Sequence, residues 1–319
     1  MTDLQVFFQQ LITGLSCGMI IALIALGYTM VYGIVELINF AHGDLFMLGS
    51  FLALTIIGAL GLDQVGVDSL VSWGIFPLFI AAPVFCGALN WGVDRFAYRP
   101  LRDAPRLAPL VSAIGVSFVF LNLGLFWGGA PMQVFNMGGA AAAPKDFPAL
   151  VSNRNLLGDS VIQFTAKDLL VMGMTIPLMI GLTVVVKYTR LGKSMRAVAQ
   201  NATAARLMGI DVDRVIGATF VLGGALGGVA SVVYAIYNNT IYFQMGYRAG
   251  MDAFTAAVLG GIGNLPGAVL GGIVIGVVRA MSDQYIATEW TNAVVFSILI
   301  LVLIFRPSGL LGAAVREKV

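Results

Sequence analysis

The stretch KYTRLGKSMRAVAQNATAARLMGIDVDR, residues 187–214, decides how the rest of the chain is read. It is the longest polar interruption in an otherwise mostly apolar sequence. It carries Lys187, Arg190, Lys193, Arg196, Arg206 and Arg214 between two long apolar segments. A basic loop between apolar spans marks the cytoplasmic side of a membrane protein. The loop also reads as helical. Ala197, Ala199, Ala202, Ala204, Ala205, Leu207 and Met208 are mostly good helix formers, no proline intervenes, and Gly209 supplies a stop. A short helix held just outside the membrane is either a topological anchor or a docking helix for a soluble partner.

Working outward, the composition excludes a soluble enzyme. The chain has 319 residues, 59% of them hydrophobic and only 11% charged, where soluble domains carry about 25% charged residues. The apolar runs are continuous rather than alternating, which predicts an all-α polytopic membrane protein and not a barrel. Cys17 and Cys86 lie in apolar runs and suggest packing residues, not a disulfide or metal framework. The N-terminus lacks a basic leader, so the first span is expected to be retained.

Charge-free windows at 4–35, 45–62, 69–93, 107–144, 169–186, 215–247, 253–278 and 290–305 predict about eight hydrophobic segments. Most lysines and arginines fall in three places. These are 95–106 (Arg95, Arg99, Arg102, Arg106), 187–214, and the tail (Arg306, Arg316, Lys318). All three are assigned to the cytoplasm, C-terminus included, which places 61–72, 128–166 and 238–252 outside.

Two places break this simple count. In 28–44, YTMVYGIVELINFAHGD, a full-length span is followed by Glu36, Asn39, His42 and Asp44 close together. In 253–278, the GGIGNLPG run sits inside an apolar segment that must enter and return. Twenty-six residues are too short for two full crossings, at about 1.5 Å per residue. A broken, re-entrant pair of half-helices is expected around Pro266, hinged at Gly261, Gly263, Asn264 and Gly267. Such backbone is tolerated only where protein or a water-filled cavity covers it, and it recurs at transporter sites. The small-residue pairs among Gly223, Gly224, Gly227 and Gly228, and Gly267–Gly271 and Gly272–Gly276, predict close helix packing.

Few residues could carry chemistry. His42 is the only histidine and cannot build a metal cluster. Asn39, His42 and Asp44 either line a permeation path or cap two helices at a turn, with Gly43 suited to that turn. Asp252, beside the break, reads as an interface residue. No GxxxxGK[ST] or HExxH occurs, so neither ATP binding by a P-loop nor zinc-protease chemistry is expected, and no cofactor is implied. A GxSxG occurs once, as GLSCG at 14–18, but inside the first apolar span and not at a strand-to-helix turn, so it does not read as a nucleophile elbow.

Several motifs together carry a resemblance. INFAHGDLFMLGSF (38–51), DRFAYRPLR (94–102), LVSAIGVS (110–117), YTRLGKSMRAVAQN (188–201), LMGIDVDRVIGATFV (207–221), AGMDAFTAAVLGGIGNLPGAVLGG (249–272) and FRPSGLLG (305–312) keep order and spacing over nearly the whole chain. In these the sequence resembles permease subunits of high-affinity branched-chain amino-acid ABC importers of the leucine/isoleucine/valine type, closest to the smaller of that system's two permeases. The resemblance implies a single transmembrane permease domain over 1–319 in a bacterial inner membrane, without catalytic residues of its own. It implies a heterodimer with a second, related permease, two ATP-binding cassette ATPase subunits inside, and a periplasmic substrate-binding protein outside. Membrane lipid surrounds it and nucleic acid plays no part. It also implies that 187–214 is the ATPase-coupling loop, with Arg196, Asn201, Ala204, Ala205 and Gly209 on the coupling helix. Importer permeases share a Glu-Ala-Ala-x-x-x-Gly element there. Ala204, Ala205 and Gly209 match its spacing, while Thr203 stands in the place of Glu. Related permeases carry urea, short amides or other amino acids. From the residues alone, a stand-alone secondary transporter or channel is the alternative.

Overall fold

The computed structural model describes residues 2–35, 39–62, 72–102, 104–105, 107–158, 160–306 and 308–312. Glu36, Arg106, Arg316 and Lys318 lie outside the described residues. Among the described residues the chain is all-α apart from one two-residue strand pair and an isolated bridge between Asn155 and Thr165. In order it forms α1 (Asp3–Val35), α2 (Ala41–Leu60), α3 (Ile75–Val93), α4 (Leu107–Gly128), α5 (Ala166–Tyr188), α6 (Arg190–Gln200), α7 (Ala202–Leu207), α8 (Val212–Asn238), α9 (Met245–Gly260), α10 (Leu265–Tyr285) and α11 (Thr291–Phe305). Strands β1 (Lys145–Asp146) and β2 (Thr240–Ile241) pair antiparallel. Among the described residues, seven helices are long and apolar enough to cross a membrane, and the 15-residue α11 is a shorter apolar one.

Helices α1, α8, α9 and α10 make the centre. Glycine sets how closely they meet. Gly272 and Gly276 of α10 lie against Ala22 and Gly18 of α1, where a Cβ would strike main-chain atoms. Gly267 and Gly271, one residue out of phase, lie against Gly260 and Ala256 of α9. Each small-residue pair on α10 therefore serves a different neighbour. On α8, Gly224 and Gly228 meet the α3 backbone at Cys86 and Ala82, while Gly223 and Gly227 face α1 and His42. In lipid no hydrophobic force drives helices together, so such close van der Waals contact supplies much of the association. The outer helices α4 and α5 turn apolar side chains such as Phe118, Phe126, Ile176 and Ile180 to the surroundings.

The helices break at both expected places. Residues 28–35 continue α1, which at 33 residues is about 50 Å long, and α2 starts at Ala41, level with Gly27, His42 lying against both Gly27 and Gly227. The second break spans 261–264. Gly261 (φ 106°) and Gly263 (φ 86°) take a backbone that L side chains rarely adopt. The Asn264 side chain then caps α10 by accepting from Gly267 N at 3.1 Å, and Pro266 sits in the first turn, where its missing N–H costs nothing. The two arms are longer than half-helices: α9 has 16 residues and α10 has 21. The charge-free window was too narrow because Asp252 of α9 and Arg279 of α10 neutralise each other across the hairpin at 2.6 Å. Both helices therefore run on through residues that end an apolar window. The terminal segment 308–312 straps the break: Leu310 N and Leu311 N donate to Leu259 O and Gly260 O, and Asn264 Nδ2 donates to Leu311 O at 2.6 Å. These bonds satisfy carbonyls that the end of α9 leaves open.

The described parts of the basic clusters come together at one end of this bundle. Asp213, at the start of α8, pairs with Arg99 at 2.6 Å and with Arg102, and Arg102 also pairs with Asp94 at 2.5 Å. Helix α6 lies beside the 261–264 break, which the C-terminal strap covers. The opposite end holds the long connection 129–165. There β1 joins β2, and Ser72 N donates to Leu150 O at 2.9 Å. Lys145 is buried in that connection and donates to the carbonyls of Phe135, Gly139 and Ala140. Burial pushes its amine below the ordinary lysine range.

Candidate functional site

Residues 187–214 fold as an elbow. Thr189 caps α6 by accepting from Gly192 N at 3.1 Å. Arg196 donates to the carbonyls of Val186 and Lys187 at 2.7 and 3.0 Å, closing the open end of α5. Asn201 caps α7 by accepting from Ala204 N at 2.9 Å. The end of α7 is a Schellman turn, in which Gly209 N donates to Arg206 O and Ile210 N to Ala205 O, both at 3.0 Å. Gly209 has φ 80°, as that turn requires, and stands in open space. Asp211 then caps α8. The five residues singled out on the elbow thus divide by task. Arg196, Asn201 and Gly209 fix its shape, Ala205 is its buried contact, and Ala204 is exposed.

Sequence reasoning missed the tip. Leu207 and Met208 are 84% and 82% exposed. Two large apolar side chains held out by a rigid turn make a projecting knob. The signal was present in the LMG triplet, since the glycine that stops α7 forces the two preceding residues to its end.

The NFAHGD residues come together in a closed layer midway along the bundle. Tyr98 donates to Asn39 Oδ1 at 2.8 Å, Asn39 Nδ2 donates to Asn90 Oδ1 at 3.0 Å, and Asn90 Nδ2 donates to Phe220 O at 2.7 Å. His42 is 1% exposed, fitted against Gly27 and Gly227 and edge-on to Tyr28 with ring centroids 4.8 Å apart. Among the described residues neither ring nitrogen makes a well-formed hydrogen bond, the Ile24 backbone being an acceptor nearby. Ser117 donates to Asp44 Oδ2, and Asp44 Oδ1 is left without a partner. Close helix approach makes this layer: a side chain at Gly27 would collide with the imidazole of His42.

At the end opposite the elbow lies a cavity of about 320 Å³ between α1, α8, α9 and α10. Its charged lining is Arg248, Asp252, Arg279 and Asp283, and its apolar lining includes Ile20, Ile21 and Ile24. Asn39, His42 and Asp44 do not line it; Ile24, one turn before His42's neighbour Tyr28, does. The sequence reading passed over this set because Arg248 and Arg279 belong to none of the basic clusters. Their signal was positional: Asp252 and Arg279 lie on opposite sides of the 261–264 break, so a hairpin there can bring opposite charges together.

Comparison with known proteins agrees with this architecture. Residues 10–303 match the family described as the permease component of branched-chain amino acid transport systems. The high-affinity branched-chain amino acid transport system permease protein LivH of Salmonella typhimurium is 41% identical over 318 residues, covering 98% of each chain. The corresponding protein BraD of Pseudomonas aeruginosa is 39% identical over 325 residues, covering all of both chains. A second kind of permease, the probable LivM of Methanocaldococcus jannaschii, is 28% identical over 137 residues, 39% of this chain and 40% of that one. A match over this length, on a bundle of apolar helices with a projecting elbow, shows that the chain belongs to the permease-component family of branched-chain amino acid transport systems.

Proposed function

We propose that this permease passes leucine, isoleucine and valine inward through a bacterial inner membrane as one subunit of an ATP-driven importer. The elbow 187–214 faces the cytoplasm with the C-terminus, and the cavity faces outward. The supporting observation is the placement of these two features at opposite ends of one bundle. An energised partner engages the knob Leu207–Met208, and substrate arrives from a binding protein over the cavity. ATP hydrolysis belongs to two ATPase subunits, one under each permease, and the second permease is a related chain. The partial likeness to a LivM-type protein supports that pairing.

The three caps, the Schellman turn and the two Arg196 bonds make the elbow stiff, and α6 lies against the 261–264 break. A push on the knob therefore reaches α5, α8 and the α9–α10 hairpin together. The layer of Asn39, His42 and Asp44 lies between knob and cavity and closes the path in this conformation. On opening, helix separation exposes those polar groups to the substrate. Deletion of 200–209, or Gly209→Leu, abolishes ATP-driven uptake while membrane insertion survives. Uptake that persists in both variants contradicts the role given to the elbow. Cysteine placed at Asn39, His42 or Asp44 reacts with aqueous thiol reagents in the open state and is protected in the closed one. Protection in every state leaves those residues as helix caps alone.

A further inference from the structure

The cavity at the far end has a construction that packing alone does not require. Its charged lining is balanced, with two arginines (Arg248, Arg279) and two aspartates (Asp252, Asp283). A cavity lined by one sign of charge would select an ion; a balanced one suits a neutral molecule carrying both charges. Arg279 and Asp252 form the inner pair, with side chains only 12% and 11% exposed. The pair is not saturated. Arg279 Nη2 is shared between Asp252 and Asn292, and Arg279 Nε is buried without a partner among the described residues. Asp252 accepts from Arg279 through Oδ1 alone among the described residues. Buried donors are nearly always partnered in folded proteins, so one left open calls for an explanation. The other wall is apolar, formed by Ile20, Ile21 and Ile24 of α1. The volume of about 320 Å³ stands at the small end of the roughly 300–1,000 Å³ typical of small-molecule sites.

We propose that the permease has its own amino-acid site in this cavity. The α-carboxylate of a free amino acid is received by Arg279 and its α-ammonium by Asp252, while an aliphatic side chain lies on the three isoleucines. A guanidinium with free donors matches a carboxylate, and a carboxylate with a free oxygen matches an ammonium. An aliphatic floor beside both charges favours branched-chain over polar amino acids. The proposal rests on the substrate reading above and deepens it, because selectivity then resides in the membrane subunit as well as in the delivering protein.

The test is equilibrium binding of radiolabelled L-leucine to the purified full-length chain in lipid nanodiscs, with competitors that each lack one feature. Saturable binding is expected, with isoleucine and valine competing well. L-Leucinamide lacks the carboxylate and 4-methylpentanoate lacks the ammonium. Each should compete about tenfold less well or worse, as the loss of one hydrogen bond to a charged group gives. Ala249→Trp fills the cavity while keeping both charged residues in the chain, and should abolish binding in a protein that still elutes as wild type. No saturable binding, competition by either analogue as strong as that of isoleucine, or retained binding in A249W overturns the site. The competitor series needs no variant, so it decides the matter even if A249W misfolds. Leucine uptake by the assembled importer, measured in parallel, separates the two claims. Uptake without binding overturns the site alone; absent uptake overturns the substrate assignment on which it rests.

Discussion

Two polar constellations lie inside this bundle, and they are built on opposite terms. The Asn39–Asn90–Tyr98 set is closed: each amide or hydroxyl that donates finds an acceptor, ending on the Phe220 carbonyl. The Asp252–Arg279 pair is open: it borders a cavity and leaves a donor unused. In a medium without water a satisfied network locks helices, whereas an unsatisfied pair beside a void is ready for a ligand. His42 and the free oxygen of Asp44 complicate the first set. They are buried in a tightly packed layer, without well-formed hydrogen bonds among the described residues. Under the proposed function this is the closed state of a gate, whose polar groups find partners when it opens.

The sharpest way to break the comparison is at the open pair. Arg279→Ala leaves Asp252 without its hydrogen-bonded partner, with Arg248 the remaining cation in the cavity, and should cost up to about 3–5 kcal/mol. Replacing both partners together, as Asp252→Leu with Arg279→Met, should restore most of that stability while leucine binding stays lost. Thermal unfolding in detergent reads the first effect, and the nanodisc assay reads the second. If the double variant still binds leucine, the pair has no part in recognition.

The closed set should respond less. Asn90→Leu removes the partner of Asn39 and the donor to Phe220, at about 1–2 kcal/mol for hydrogen bonds between membrane helices. Leucine binding at the far cavity should be unchanged. A loss of binding as large as that of Arg279→Ala would mean that the two constellations act as one.

The elbow gives the smallest effects on stability and the cleanest on function. Gly209→Ala has open space for its methyl group, so only the left-handed backbone is penalised, by about 1 kcal/mol. Leu207→Ser with Met208→Ser removes no packing and should change stability by less than about 0.5 kcal/mol. Co-purification with the ATPase subunits should nevertheless be lost. Retained assembly would show that the exposed knob is not the contact.

These contrasts also explain what the sequence could reveal. Hydropathy and the basic clusters disclosed a helical membrane protein, its two helix breaks and the ends at which its loops gather, because lipid enforces those features residue by residue. Helix formers and the Gly209 stop disclosed a helix in the elbow, but not its division at Asn201 into α6 and α7, which Asn201 makes by capping the second. The cavity was not disclosed. Asp252 and Arg279 interrupt apolar windows, so a charge-free criterion treats them as ends of spans. Only their pairing across the 261–264 hairpin lets α9 and α10 continue past them. Nor did the sequence show whether Asn39 faces a path or a partner, because Asn90, Tyr98 and Phe220 reach it from other helices.

The central claim is that this chain is a gate worked from outside itself. It is tested most directly by leucine uptake into proteoliposomes holding the chain alone, with its second permease, and with the ATPase and binding proteins added in turn. The account predicts accumulation only when every subunit and ATP are present. Leucine accumulated by vesicles that contain this chain and nothing else would contradict it.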